Sequence, residues 1–383
     1  MTRDWRSVAG AWLGIGTSPT ALLLGAGLAA QYNGAIPVIS LAGGMSLIFI
    51  LIWLQGHLGL QPPLGDGGNL TKVAPRYLNP VMLKLLSALI ALGMTGWFGL
   101  NVGFGASAFS ALIGQPQWFV ALGMGIPILL LSLKGIQGWN ALATLTTICV
   151  LILIALVVAQ YGGTVMPMTP HAAAPLQTLG DVALIMGFVS VFMVRAPDFT
   201  AQLGSRRDLT MVCLLTCVPL TITILAGASV QQGTGSADLV NVLAGSSNLA
   251  IGNLLITLAT IAPTFTTLYS GAPALHTAIG IDESRGMLLM GIIGLALAIG
   301  RIDLILLPWL SLLAATLPPI LIPLAIESAR RRAGHLPREV SVWQWLSGAV
   351  VAGALTLVRH PLASLAGLGA SGIAAGISHW RKA

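Results

Sequence analysis

The chain has few charged residues. Only 8% of its 383 residues are Asp, Glu, Lys or Arg, whereas 56% are hydrophobic, and the mean hydropathy is +0.89. Because a soluble domain carries roughly 25% charged residues, this composition excludes an ordinary water-soluble protein. Apolar runs of about 20 residues recur along the chain, the length at which a helix crosses a bilayer core of ~30 Å. We therefore predict an all-α integral membrane protein, with the lipid bilayer as its surroundings.

Groups that bind metals or act in catalysis are also scarce. Cys149, Cys213 and Cys217 lie within apolar runs, and no His or carboxylate completes a ligand set around them. The 11 acidic residues are scattered singly, whereas an intramembrane enzyme needs clustered acids or a His/Asp constellation. We expect the cysteines to pack as small apolar residues, and we expect no metal, no cofactor and no enzyme activity.

The apolar runs divide into about twelve predicted membrane-spanning helices, called spans 1 to 12. Their predicted bounds are 8–30, 35–56, 80–113, 117–134, 138–159, 180–203, 209–231, 247–279, 286–300, 303–326, 343–358 and 361–379. Basic residues such as Lys72, Arg206 and Arg331 would lie on the side of the N-terminus, and the other side keeps Arg301 and Arg359. This bias predicts a multi-pass cytoplasmic-membrane protein with both termini cytoplasmic. It also accounts for the net charge of +7 without a nucleic-acid partner.

Two spans contain helix-breaking residues at what look like equivalent places. The breaks are Gly14-Ile15-Gly16-Thr17-Ser18-Pro19 in span 1 and Val194-Arg195-Ala196-Pro197-Asp198 in span 6. Matching breaks in two halves of a membrane protein indicate the central site of a secondary transporter. Such a break persists only where protein, water or a ligand satisfies the freed backbone groups.

The span count predicts how the two halves are related. Spans 1–5 and 6–10 form two sets of five, about 8–159 and about 180–326, and the second set enters from the opposite side because five is odd. We expect a 5+5 inverted repeat with broken helices 1 and 6, followed by two extra helices at about 343–379. The whole chain, 1–383, is predicted to be a single polytopic domain.

Trp97 is unusual because it lies near the middle of span 3, whereas tryptophans in membrane proteins collect at the interfaces. Asn101 follows one turn later on the same helix face. An aromatic plane beside an amide suits a flat heterocycle that carries hydrogen-bond donors and acceptors. The alternative is a tryptophan packed in a helix interface, with Asn101 bonded to a neighbouring helix.

Charged residues and prolines indicate further special positions. Arg195 and Asp198 flank Pro197, and they would neutralise one another, or Asp198 would cap a half-helix, or Arg195 would bind an anionic or carbonyl-rich substrate. Pro318 and Pro319 predict another discontinuity, in span 10, that would serve as a gate.

Span 8 is rich in hydroxyl groups. Its hydroxyl residues are Thr257, Thr260, Thr264, Thr266, Thr267, Tyr269 and Ser270. These oxygens would bind Na⁺ together with carbonyls freed at the first break, or contact the substrate. The alternative is that the threonines donate to carbonyls of their own helix.

Four short motifs together resemble a known family. They are Gly96-Trp97-Phe98-Gly99, Ala196-Pro197-Asp198-Phe199, Leu268-Tyr269 and Ala314-Ala315-Thr316-Leu317-Pro318-Pro319. In order and spacing across spans 1 to 10 they resemble the cytosine–purine–hydantoin permeases, the first nucleobase–cation symporter family. The resemblance implies twelve helices, ten of them in the inverted repeat, and import of nucleobases or related heterocycles with Na⁺ or H⁺. It also implies that Trp97 stacks on the substrate and that Asn101 is a polar contact.

The chain departs from this family pattern in spans 6 and 8. The second stacking aromatic of span 6 falls on Val189, with Phe188 and Phe192 nearby. The span-8 amide falls on Ala259, and the sodium-binding hydroxyl pair falls on Ala262-Pro263. A small shift of the alignment brings in Thr260 or Thr264 instead.

The sequence therefore predicts a secondary active transporter, a permease for a nucleobase or related small planar heterocycle, working by alternating access and coupled to Na⁺, H⁺ or no ion. Its alternatives are an amino-acid carrier of the same fold, with backbone amides of the first break binding a carboxylate, or a non-transporting binding relative. The predicted substrate-binding residues are Trp97, Asn101, Gly14, Gly16, Thr17, Phe188, Val189, Phe192 and Thr260. The predicted ion ligands are Thr264, Thr260 and Gly16, and the gating or structural residues are Arg195, Asp198, Pro197, Pro318 and Pro319.

Overall fold

The computed structural model describes residues 4–135, 139–161, 166–171, 174–246 and 251–380. Within these ranges the chain is mainly helical, and its two strands, Ile36–Pro37 and Met168–Thr169, have only two residues each. The all-α class predicted from composition is confirmed.

Each predicted span contains a helix or a pair of helices. Spans 1 to 6 are Ala9–Gly16 with Thr20–Ala30, Val38–Gly59, Pro80–Ile113, Gln117–Lys134, Trp139–Tyr161, and Pro175–Val194 with Ala196–Thr200. Spans 7 to 9 are Arg206–Thr234, Ile251–Ile279 and Glu283–Ile299. Span 10 comprises Leu306–Thr316 and Leu321–Arg332 with the 3₁₀ turns Ile302–Ile305 and Pro318–Ile320, and spans 11 and 12 are Val342–Leu357 and Ala363–Trp380. Short helices in the links are Trp5–Ser7, Leu70–Val73, Ala74–Arg76 and Leu239–Gly245.

Nine segments of the described chain, spans 1 to 8 and span 10, are long and apolar enough to cross a membrane. The helices of spans 9 and 11 are shorter, at 17 and 16 residues, and the apolar stretch of span 12, Ala363–Ser378, is also shorter. The chain is thus a multi-pass membrane protein, and the full count of twelve crossings stays a prediction.

Contacts between links show which ends of the spans lie together. Strand Ile36–Pro37, after span 1, pairs in parallel with Met168–Thr169, after span 5. At the opposite end, the backbone N–H of Gln61, after span 2, donates to the carbonyl of Leu203, after span 6 (3.0 Å). The links therefore alternate between two ends, as a chain that crosses a bilayer repeatedly requires.

The end that holds the links after spans 2, 6 and 10 is called the basic end, because arginines cluster there. Glu327, near the end of span 10, pairs with Arg330 (2.6 Å) and Arg331 (2.9 Å). Arg332 lies 2.7 Å from Nδ1 of His57 at the end of span 2. These contacts join span 10 to span 2 at the basic end.

Spans 1 and 6 are interrupted, and a side chain from another span binds the carbonyl freed at each interruption. Where the first helix of span 1 ends, Thr223 Oγ1 of span 7 donates to the Gly16 carbonyl (3.2 Å). Where the long helix of span 6 ends, Gln55 Nε2 of span 2 donates to the Val194 carbonyl (3.0 Å). An unbonded carbonyl inside a bilayer costs several kcal/mol, so these donors make the interruptions tolerable.

The two interruptions do not lie at equivalent depths, contrary to the expectation from sequence. Span 1 is divided into helices of 8 and 11 residues, whereas span 6 has 20 residues before its interruption and 5 after it. Pro197 accounts for the second position, because proline lacks an N–H and suits the first turn of a new helix. Gly14 and Gly16 remain helical, and the first gap falls on residues 17–19.

Spans of the first half pack against spans of the second half in corresponding pairs. Span 1 packs against span 7, span 6 packs against span 2, and span 3 packs against span 8. If a repeat relates span 1 to span 6 and span 2 to span 7, the contact of span 1 with span 7 corresponds to the contact of span 6 with span 2. The hydrogen bonds from Thr223 to span 1 and from Gln55 to span 6 correspond in the same way. The repeat bounds of about 8–159 and about 180–326 stay a prediction, which this packing supports.

Two glycines allow spans 1 and 7 to cross closely. A Cβ built on Gly25 would overlap the carbonyl of Ile224, and one built on Gly227 would overlap the carbonyl of Leu22. The close approach brings the two backbones into contact, as small residues do in membrane helix pairs.

We predict that Gly25→Ala lowers the thermal unfolding midpoint of the detergent-purified protein. The added methyl group meets rigid backbone, and such overpacking costs about 1–3 kcal/mol. Gly123→Ala in span 4 is the matched control, because a Cβ there has no neighbour within 4 Å. Its midpoint should stay the same or rise slightly, since Ala favours a helix over Gly. Equal midpoints for the two variants would contradict the close crossing.

Candidate functional site

A cavity of about 100 Å³ lies beside the interruption of span 1, among spans 1, 3, 5, 6 and 8. Its lining combines aromatic and small residues with a few polar ones: Gly10, Ala11, Gly14, Ile15, Ser18, Trp97, Asn101, Ala143, Thr146, Phe188, Phe192, Phe199, Ala262, Pro263, Thr266 and Thr267. No charged or titratable side chain of the described residues lines it. A mostly apolar lining with a few polar groups is typical of sites for small molecules.

Trp97 and Phe188 supply aromatic surface from two different spans. Their rings meet edge to face, with centroids 5.2 Å apart and planes at 82°, a preferred geometry for aromatic pairs. Gly96, next to Trp97 in the chain, allows span 10 to approach span 3, because a Cβ on Gly96 would overlap the ring of Trp309 in span 10. The cavity thus has one aromatic side chain from span 3 and another from span 6, packed against each other.

Three buried polar atoms of the lining have no hydrogen-bond partner within the described protein. They are Nε1 of Trp97, Oδ1 of Asn101 and Oγ1 of Thr146. The three residues are only 3%, 2% and 1% exposed. A buried polar group without a partner costs about 1–3 kcal/mol. A ligand that carries both acceptors and donors would recover this cost.

Five of the predicted substrate-binding residues line the cavity together. These are Trp97, Asn101, Gly14, Phe188 and Phe192. A Cβ on Gly14 would have nothing within 4 Å, so this glycine keeps space open. The structure thus places these five residues together, and their role in binding a substrate stays a prediction.

The other four predicted substrate residues, Gly16, Thr17, Val189 and Thr260, lie outside the cavity lining. Gly16 faces span 7, where a Cβ would come within 2.7 Å of the Thr216 carbonyl oxygen. Thr17 Oγ1 donates to the Leu13 carbonyl (2.8 Å), and Val189 is fully buried. In span 6 it is therefore Phe188 and Phe192, the neighbours of Val189, that reach the cavity.

The predicted ion ligands are not brought together at the cavity. Thr260 Oγ1 donates to the Thr257 carbonyl (2.8 Å), and Thr264 Oγ1 donates to the Thr260 carbonyl (2.6 Å). The third ligand, the Gly16 carbonyl, accepts from Thr223. The span-8 hydroxyls thus follow the alternative considered for them, in which threonines bond to their own helix.

Sequence reasoning missed several polar residues of the lining. Thr266 and Thr267 belong to the hydroxyl-rich stretch of span 8 but were not selected over Thr260. Ser18 lies in the first break, where its hydroxyl bonds that of Thr20 (2.8 Å). Thr146 had only a weak signal, as part of Thr144-Leu145-Thr146-Thr147 in an otherwise aliphatic span.

Arg195 and Asp198 form an ion pair at 2.5 Å near the basic end, with each side chain 13% exposed. Arg195 Nη1 also donates to the carbonyl of Ser270 in span 8. Asp198 Oδ1 accepts from the backbone N–H of Leu70, the first residue of a link helix (2.7 Å). The pair therefore connects span 6 to span 8 and to the link between spans 2 and 3, and its guanidinium lies outside the cavity lining.

Pro318 and Pro319 also lie outside the cavity, at the interruption of span 10. The Thr316 carbonyl, freed there, accepts from Nε1 of Trp345 in span 11 (3.1 Å). The discontinuity is therefore supported by one of the two helices beyond the predicted repeat.

Solved structures with the same fold are transporters. The chain superposes on Mhp1, a nucleobase-cation-symport-1 family transporter, closed with bromovinylhydantoin bound, with a TM-score of 0.73 and 18% identity over 98% of this chain and 91% of that one. For inward-facing Mhp1 the TM-score is 0.69, with 17% identity and the same coverage. A substrate-bound, outward-open Na⁺-coupled sialic acid symporter gives 0.63 and 11% over 97% and 89%. No protein-family model and no curated protein matches the chain.

These similarities establish the fold. They agree with the family resemblance of the four motifs, and they cover nearly the whole chain, so the all-α transporter fold is confirmed. The count of twelve helices and the details of the repeat stay predictions. The neighbours include closed, inward-facing and outward-open forms.

We predict that Asp198→Asn lowers the thermal unfolding midpoint. Asn still accepts from Leu70, but Arg195 loses its counter-charge, a loss approaching the ~3–5 kcal/mol of a fully buried pair. The control is the double variant Arg195→Gln/Asp198→Asn, which should lose less than the sum of the two single variants. A loss equal to that sum in the double-mutant cycle would show that the two side chains act independently.

Proposed function

We propose that this protein is a secondary active transporter that imports a nucleobase or related small planar heterocycle across the cytoplasmic membrane by alternating access. The observation that carries the proposal is the uncharged cavity that combines the Trp97 and Phe188 rings with the unpartnered polar atoms of Trp97, Asn101 and Thr146. The fold, shared with known transporters, supports a carrier.

The cavity size favours a small ligand. A water requires roughly 10–15 Å³ by the same measure, so about 100 Å³ has room for roughly seven to ten waters, which suits a single ring. Aromatic side chains provide contact area for a flat ring, and the Trp97 N–H and the Asn101 carbonyl suit a ring acceptor and a ring donor. A neutral cyclic amide is small, is flat, and carries both a hydrogen-bond donor and an acceptor, so it meets these requirements.

The amino-acid alternative has little support from the cavity. A zwitterion requires partners for both of its charges, and no charged side chain of the described residues lines the cavity. Arg195, the candidate for a carboxylate, is bonded to Asp198 and Ser270. Of the two glycines that would present amides at the first break, Gly16 is outside the lining.

We infer that the bundle of spans 1, 2, 6 and 7 moves against the remaining spans. Spans 1 and 7 pack together, as do spans 2 and 6, and spans 2 and 7 join the two pairs, which supports a four-helix unit that moves as one body. The cavity lies between this unit and spans 3, 5 and 8. A substrate there contacts both bodies.

The coupling ion is proposed to be Na⁺ or H⁺, or absent. Thr260, Thr264 and Gly16 lie outside the cavity lining and no carboxylate of the described chain lines it, so neither ion has an evident ligand set there. Substrate binding measured in Na⁺ and in choline distinguishes sodium coupling from the other two.

We predict that nucleobases or hydantoins raise the unfolding midpoint of the detergent-purified protein and that Trp97→Ala abolishes the rise. The panel comprises nucleobases, hydantoins, thiamine precursors and amino acids, each in Na⁺ and in choline. Trp118→Ala is the control, because Trp118 is 52% exposed at the start of span 4 and should leave the rise unchanged.

An amino-acid response that does not depend on Trp97 would overturn the heterocycle proposal. Uptake of the labelled ligand into proteoliposomes then separates a carrier from a receptor, since a receptor binds without uptake.

We propose that the basic end faces the cytoplasm, as the positive-inside bias indicates. In intact cells a membrane-impermeant maleimide should label Gln115→Cys, in the exposed link between spans 3 and 4, and should label Lys72→Cys only after permeabilisation. The background is low because all three native cysteines are buried. The reverse labelling pattern would invert the topology.

A further inference from the structure

Thr146 differs from the other buried threonines in the way its hydroxyl is used. It is 1% exposed, it lines the cavity, and its Oγ1 has no hydrogen-bond partner within the described protein. Both the proton and the lone pairs of this hydroxyl are therefore available to a ligand.

Threonines in the helices of this chain usually donate to a carbonyl three or four residues earlier. Thr147, the next residue, donates to the Ala143 carbonyl (3.0 Å), and Thr266, also in the cavity lining, donates to the Ala262 carbonyl (3.0 Å). Among the described residues, Thr146 is the only threonine whose buried hydroxyl lacks a partner. The Thr146 hydroxyl thus does not donate to a carbonyl of its own helix, and Thr146 lines the cavity.

The other two unpartnered atoms of the lining come from a different span. Trp97 Nε1 and Asn101 Oδ1 lie one turn apart on span 3, whereas Thr146 belongs to span 5. Polar groups from two separate spans border the same cavity, and all three are buried in surroundings where leaving them unbonded is costly. One small ligand with several polar atoms would satisfy groups from both spans.

We propose that Thr146 binds the transported heterocycle directly through a hydrogen bond from or to its Oγ1, as the span-5 contact that complements Trp97 and Asn101 of span 3. The proposal rests on the heterocycle function above. It adds span 5 to the substrate site and assigns the ligand a third polar atom, apart from those that meet Trp97 and Asn101.

The test compares Thr146→Val, Thr146→Ser and Thr147→Val in the purified full-length protein. The probes are uracil, cytosine and hydantoin, and the readouts are the dissociation constant and the ligand-free unfolding midpoint. Val matches the shape of Thr but lacks the hydroxyl, and Ser keeps the hydroxyl. Thr147→Val controls for the loss of a threonine from the same helix turn where the hydroxyl is already bonded.

The expected result is a loss of affinity without a loss of stability. Thr146→Val should weaken binding of the best probe by roughly three- to tenfold, while its ligand-free midpoint stays unchanged or rises because a buried unbonded hydroxyl has been removed. Thr146→Ser should bind within about threefold of the wild type, and Thr147→Val should bind as the wild type does.

Two results would overturn the proposal, and they are distinguishable. If the wild type binds a probe and Trp97→Ala abolishes that binding, but Thr146→Val binds normally, Thr146 is not a substrate contact and the proposed function stands. If no probe binds to the wild type, the heterocycle function and the role of Thr146 fail together.

Discussion

The structure depends on one constraint, that every carbonyl freed inside a bilayer must find a donor. Two of the three interrupted spans meet it with side chains from within the ten-span core, Thr223 for Gly16 and Gln55 for Val194. The third uses Trp345 of span 11. Each hydrogen bond fixes a neighbour, so the interruptions specify the packing of span 7 on span 1, span 2 on span 6 and span 11 on span 10. The helices beyond the predicted repeat therefore have a structural task in stabilising span 10.

At the cavity, by contrast, buried polar side-chain atoms lack hydrogen-bond partners within the described protein. Other buried polar atoms without a partner occur, such as Nε1 of Trp12 and of Trp309, but three share the lining of this cavity. Among the residues that the structure describes, no charged side chain lines the cavity to attract an ion or a zwitterion, and aromatic side chains offer surface for a flat ring. Affinity would come from stacking, and orientation would come from hydrogen bonds that the protein does not make to itself.

Composition and periodicity predicted the class and the spans well, because a bilayer imposes length and hydrophobicity directly on each helix. The position of an interruption was harder to predict. Glycine permits a break without requiring one, so Gly14 and Gly16 stay helical, whereas Pro197 removes a donor and places the second gap near the end of span 6. The resemblance selected aromatic and amide residues that line the cavity. It could not find Thr146, since whether a hydroxyl bonds its own helix or faces a cavity depends on the side-chain rotamer and on neighbouring spans.

Among the contacts that cross the boundary between the proposed moving bundle and the other spans, three involve aromatic or charged side chains beside the cavity and at the basic end. Trp97 meets Phe188 beside the cavity, and at the basic end Arg195 donates to Ser270 while Arg332 contacts His57. In the proposed motion, opening toward the basic end would separate spans 6 and 2 from spans 8 and 10 and so break the last two contacts. A substrate shifts this equilibrium only through a difference in affinity between the two states. A ring held between Phe188 on the bundle and Trp97, Asn101 and Thr146 on the other spans has that property, because its contacts come from both bodies and change when the bodies separate.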